Sequence, residues 1–157
     1  MYTTSQLLCH LVGDYVLQTD HMALRKRQSW LVALAHGLAY SLPFLLLGPS
    51  WAAWLVIALS HALIDRLGLA RYVCWAKNWL APRWIKNCHS ACSAPLQGLK
   101  GGWCHGCGQR GLRNYPWDEC RSTGYHRSRP EYLSVWLVII VDNLMHILIN
   151  GLALRWL

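Results

Sequence analysis

A chain of 157 residues has the length of one domain, and 54% apolar residues with a mean hydropathy of +0.19 exclude an ordinary soluble domain of that size. Ten Trp against a single Phe favour the boundary between lipid headgroups and acyl chains, where indole rings settle. The formal charge of +8 would suit a nucleic-acid binder, but the charges are clustered rather than spread over a face. No specific nucleic-acid partner is predicted.

The basic residues follow the apolar runs. Arg25, Lys26 and Arg27 share one short gap, and eleven more lie from Arg66 to Arg129, whereas the turn at Gly48, Pro49 and Ser50 has none. This is the asymmetry by which cytoplasmic loops of multi-pass proteins retain Lys and Arg. A solvated or RNA-binding basic face is the alternative for the long loop. The N-terminus lacks a basic stretch and a small-residue cleavage site, so the first apolar run is expected to remain in the protein.

Four apolar runs predict an all-α fold, a four-helix transmembrane bundle. The first, Ser5 to Thr19, is short and carries His10, Asp14 and Gln18, which suits a tilted or re-entrant helix. The second, Ser29 to Leu47, and the third, Trp51 to about Leu69, are joined by the Gly-Pro-Ser turn as a helical hairpin. The fourth, Leu133 to Leu157, follows Pro130 and carries Asp142, Asn143 and His146. Trp30, Trp51, Trp54, Trp136 and Trp156 lie near the ends of these runs. The predicted layout is residues 1–71 as three spans, 72–130 as a cytoplasmic insertion and 131–157 as the last span, with both termini outside.

Three runs repeat one arrangement: His10 with Asp14, His61 with Asp65 and, reversed, Asp142 with His146, each spaced i, i+4. On a helix this puts both side chains on one face about a turn apart. His36 adds another imidazole. Counted from the predicted cytoplasmic ends at roughly 1.5 Å per residue, all but the somewhat deeper His146 fall about 8 to 15 Å into the bilayer, which predicts one shared site.

An ionisable group at that depth costs about 2.5 to 3.5 kcal/mol or more, so several together need a collective reason. A divalent cation supplies one. Imidazoles and carboxylates suit Zn, Mn or Fe, and such an ion turns bound water into a nucleophile at neutral pH, with Asp14, Asp65 or Asp142 as general base. The predicted ligands are His10, Asp14, His36, His61, Asp65, Asp142 and His146. A purely structural His–Asp network and a proton or ion conductor are the competing readings. Gln18, Asn143 and Asn150 read as supporting or packing groups, and Asp20 and His21 as solvated.

Five of the seven Cys lie between Cys88 and Cys120. Cys88 and Cys92, then Cys104 and Cys107 after eleven intervening residues, resemble the knuckles of a structural zinc site. His89, His105 and Cys120 are possible substitutes. Disulfides are the alternative, disfavoured by the predicted cytoplasmic side. Cys9 and Cys74 read as ordinary buried or interfacial thiols.

The segments His10-Leu-Val-Gly-Asp14-Tyr-Val-Leu-Gln18-Thr-Asp20, His36, His61-Ala-Leu-Ile-Asp65-Arg66 and Trp136-Leu-Val-Ile-Ile-Val-Asp142-Asn143-Leu-Met-His146 resemble domain of unknown function family 3307. The resemblance spans all but the cysteine insertion. It implies a small multi-pass protein of a bacterial inner membrane and, from the family's phage members, a prophage gene, with no known reaction. A looser likeness joins the His/Asp pattern to inner-membrane metal-dependent hydrolase-like proteins. The leading expectation is a metal-dependent hydrolase acting on a lipid-linked or membrane substrate. A non-enzymatic phage membrane factor, of the host-entry or exclusion type, is the alternative. Oligomeric state is left open.

Overall fold

The computed structural model describes residues 3–80, 116–127 and 129–157. Cys88, Cys92, Cys104 and Cys107, with His89 and His105, lie outside the described residues. The described residues are helical, and their only extended pairing is an isolated bridge between Cys120 and His126. They divide into two compact units, Met1–Ala70 with Leu137–Leu157, and Arg71–Trp136.

In the first unit, α1 spans Thr3–Leu11 and continues as a π-helical turn over Val12–Val16. A short α2, Asp20–Arg25, begins where the Thr19 side chain accepts from the Met22 N–H, as an N-cap should. The α3 helix spans Trp30–Ser41 and tightens into 3-10 geometry over Leu42–Leu47. Pro43 explains the change, because it lacks the N–H that α geometry needs at that position. Gly48 closes the helix at φ 65°, and the Ser50 hydroxyl accepts from Ala53 N–H at 3.0 Å to start α4, Trp51–Leu67. The predicted hairpin turn therefore forms.

The α4 helix ends at Leu67, two residues before the expected stop, with Gly68 at φ 59° as its cap. A further helix, α5, Leu69–Leu80, follows in what the sequence assigned to the insertion. Most of α5 belongs to the second unit, where Tyr72 stacks on Trp117 at 4.8 Å and Arg71 lies over both rings. Cys120 in that unit has its thiol pushed above its ordinary value by partial burial, and further by Glu119 and Asp118. The last helix, α6, spans Glu131–Trp156.

Two helical stretches among the described residues, Trp30–Leu47 and Glu131–Trp156, are long and apolar enough to cross a membrane. The pair Trp51–Leu67 and Leu69–Leu80 becomes a third only if taken as one bent span. The expected four crossings thus reduce to two or three on length, because α1 and its π turn have only 9 and 5 residues.

Burial is inverted relative to a soluble protein. Tyr40, Phe44 and Ile57 share the interior with His10, Asp14, His36, His61, Asp65, His146 and Asn150. The outward faces carry Leu, Val and Trp instead, with Leu31 79% and Leu46 88% exposed. Trp30, Trp51 and Trp156 are exposed at helix ends, and Trp136 is exposed in the second turn of α6. Apolar groups outside and ionisable groups inside suit a hydrocarbon surround, where each polar group must find its partner within the protein.

Candidate metal centre

Helical spacing fixes which polar groups can meet. His61 and Asp65 sit one turn apart on the buried face of α4, and Nε2 of His61 lies 3.1 Å from Oδ2 of Asp65. The facing helix α3 brings His36, because Gly37 lets the two backbones approach closely. A Cβ on Gly37 would stand 2.5 Å from the Ala58 carbonyl oxygen and 3.0 Å from the Ala62 Cβ. Nε2 of His36 consequently lies 3.0 Å from Nε2 of His61 and 3.3 Å from Oδ2 of Asp65.

Asp14 comes from the π turn after α1. Its Oδ1 is 3.4 Å from His36 Nε2 and 3.7 Å from His61 Nε2. Gly13 permits this approach, since a Cβ there would stand 2.5 Å from the Tyr40 carbonyl oxygen. One ligand atom from each of Asp14, His36, His61 and Asp65 lies within 4.8 Å of the others, and all four residues are buried.

This donor set fits a divalent cation. Ligands about 2.1 Å from a Zn-like ion are about 3.0 to 3.5 Å from their neighbours, close to the separations observed. Nδ1 of His36 and of His61 is buried without a hydrogen-bond partner. Packing orients the rings instead: Tyr40 stacks on His61 at 3.6 Å and 15°, and His36 meets His61 edge-on at 4.8 Å.

Charge points the same way. Asp14 and Asp65 bring two carboxylates, and among the described residues Lys26 is the only Lys or Arg that pairs with either. Its Nζ lies 2.9 Å from Asp65 Oδ2 and 2.7 Å from the Gln18 side-chain oxygen. Asp142, four residues before His146 on α6, adds a third carboxylate 3.5 Å from His146 Nε2. With the imidazoles neutral, three carboxylates against one ammonium leave a net charge of about −2, which either a divalent cation or two protonated imidazoles would balance.

Of the sequence-predicted residues, Asp14, His36, His61 and Asp65 form one group, and Asp65, Asp142 and His146 a second. His10 is placed differently. Its Nδ1 lies 2.7 Å from the Tyr40 hydroxyl and its Nε2 2.6 Å from Asn143 Oδ1. Asn150 Nδ2 donates to the same hydroxyl at 2.6 Å, and Asn143 Nδ2 donates to the Tyr15 hydroxyl at 2.8 Å. Tyr40 can then donate to His10 Nδ1 while His10 Nε2 donates to Asn143, so neither ring nitrogen keeps a free lone pair. Asp20 and His21 are exposed, as expected.

Two contributors escaped the sequence reading. Lys26 looked like any member of a basic triplet, and nothing in the sequence separates it from its neighbours. Tyr40 had a signal: it stands four residues after His36, the spacing that flagged the other pairs.

The profile of a protein family of unknown function, DUF3307, matches residues 2–81. The chain belongs to the DUF3307 family. No match was found among curated proteins or among solved structures. The region matched to DUF3307 contains Asp14, Lys26, His36, His61 and Asp65, and ends before Asp142 and His146.

Proposed function

We propose that this DUF3307 protein is a membrane-embedded, divalent-cation-dependent hydrolase acting on an anionic, lipid-linked substrate. One observation carries the reading: Asp14, His36, His61 and Asp65 converge from three segments inside helices whose outer faces are apolar. Burying two carboxylates and two imidazoles in such a setting is costly for the fold unless a ligand rewards it.

A cation held there would be Zn, Mn or Fe by donor type, and would make a water acidic enough to react at neutral pH. The protein's own groups do the rest. Asp142, with its side chain 27% exposed, is the carboxylate of the cluster most open to an incoming water. Lys26 reaches from the basic stretch Arg25 to Arg27 to the site, and its ammonium can attract an anionic headgroup. Arg66, which donates to the Arg27 carbonyl oxygen at 2.8 Å and lies over the Trp30 ring, adds to that charge. In the reaction, the water oxygen bonds the electrophilic atom of the ester and the bond to the leaving oxygen breaks. One water proton goes to the leaving alcohol and the other stays with the product acid.

The triplet Arg25, Lys26 and Arg27 next to the site favours a cytoplasmic position for the site's charged edge in a bacterial inner membrane, and with α1 too short to cross, the N-terminus lies on that same side. Cys88, Cys92, Cys104 and Cys107 would hold a separate structural zinc. The test uses the full chain purified in detergent, with those four Cys replaced by Ser to separate the two sites. A transition metal should remain, and vesicles of total bacterial lipid should release water-soluble headgroup products in a manner abolished by chelation and by Asp14→Asn. Metal that vanishes with the cysteines would remove the hydrolase reading and favour a non-enzymatic membrane factor. Cation-dependent proton flux in proteoliposomes without product release would favour a conductor.

A further inference from the structure

The two carboxylate oxygens of Asp65 face different partners. Oδ2 lies among His36 and His61, 3.3 and 3.1 Å from their Nε2 atoms. Oδ1 faces α6 and lies 3.9 Å from His146 Nε2, itself 3.5 Å from Asp142 Oδ2. Asp65, Asp142 and His146 thus offer ligand atoms within 4.8 Å of one another, beside the group that holds Asp14. His146 Nε2 is buried and has no hydrogen-bond partner, although the ring is packed 4.0 Å from His61.

A buried imidazole nitrogen 3.5 and 3.9 Å from two carboxylate oxygens has a pairing need that these distances meet only loosely, and they leave room for a cation among the three groups. A single ion at the first group does not meet it, because the first group takes Oδ2 and leaves Oδ1 and His146 uncommitted. We propose that the centre binds two divalent cations, with Asp65 as a bridging carboxylate. One ion takes Asp14, His36, His61 and Oδ2 of Asp65; the other takes Oδ1 of Asp65, Asp142 and His146. A carboxylate shared in this way holds two ions about 3.5 to 4 Å apart, the spacing of two-metal hydrolytic sites. The three carboxylates and Lys26 leave part of the charge of two divalent ions uncompensated, which favours an anionic substrate at the open positions of the second ion.

This inference rests on the metal-centre reading above, and the number of ions separates the two. The test uses the full-length protein in detergent, stripped with a chelator and titrated with Mn(II), an ion that thiolates of the cysteine stretch bind poorly. Two Mn(II) per chain, with the exchange-coupled paramagnetic resonance spectrum of a carboxylate-bridged pair, is the expected result. Asp142→Asn and His146→Gln should each lower the count to one and leave the spectrum of an isolated ion. One uncoupled Mn(II) in the unaltered protein would overturn the paired centre and leave a single-ion site standing. No bound Mn(II) would overturn both. Because the decisive measurement is made on the unaltered chain, it stands even if a variant fails to fold.

Discussion

Nε2 of His36 and Nε2 of His61 face each other across 3.0 Å, with a carboxylate oxygen of Asp65 within 3.3 Å of both. Two imidazole lone pairs cannot sit that close without a proton or a cation between them. Removing either ring should therefore cost ligand binding more than folding. His36→Gln is expected to abolish the rise in melting temperature that Zn or Mn gives the unaltered protein. That rise corresponds to about 2.7 kcal/mol at a free concentration one hundred times Kd. Thermal unfolding in detergent with and without the ion checks it, and an undiminished shift in the variant would count against His36 as a ligand.

Lys26 places an ammonium 2.9 Å from an oxygen that the first cation would use. The ammonium both competes for that oxygen and repels an incoming cation, like charge against like. Lys26→Gln should thus tighten divalent-cation binding by about tenfold or more, since 1.4 kcal/mol is one decade. The same variant should weaken the attraction of anionic lipid. Isothermal titration with Mn(II), paired with flotation on anionic vesicles, measures both arms.

Gly37 lets α3 and α4 pack at the level of the facing histidines. Its missing Cβ would strike the Ala58 carbonyl, which is backbone and cannot swing aside. Gly37→Ala is expected to destabilise the protein by about 1 to 3 kcal/mol through overpacking, and to weaken cation binding as the helices separate. A neutral effect on both would mean the helices tolerate a wider spacing than the structure has.

His10 spends both ring nitrogens on Tyr40 and Asn143. His10→Ala should then lower stability by about 2 kcal/mol or more, from the lost packing and the unsatisfied partners it leaves, with the metal content unchanged. Elemental analysis against protein concentration decides this; a lost ion would return His10 to the ligand set.

Much of the site was legible because it is written in helical periodicity. The spacing that pairs His61 with Asp65 and Asp142 with His146 survives as contacts of 3.1 and 3.5 Å. It misled for His10 and Asp14, whose helix changes type between them, so the two side chains serve different partners. Periodicity also said nothing about which basic residue reaches inward, since Lys26 depends on how α2 packs on α3. The helical class and the turn at Gly48 followed from local chemistry. The number of crossings did not, because a run's apolarity does not reveal that the first α-helix stops at Leu11 or that the chain bends at Gly68.

The π turn at Val12–Val16 has a consequence for what the chain can tolerate. A π turn accommodates one residue more than the α turn it replaces, and each residue of an α-helix advances the face by about 100°. Because the wide turn absorbs its extra residue without rotating what flanks it, deleting Val12 would restore an α turn and leave the Gln6 and Cys9 face of the first helix nearly in register, whereas the same deletion inside α1 would rotate that face by a full residue's step. The stretch between Leu11 and Leu17 is thus where the first helix best tolerates a shortening by one amino acid, so long as Gly13 and Asp14 are kept.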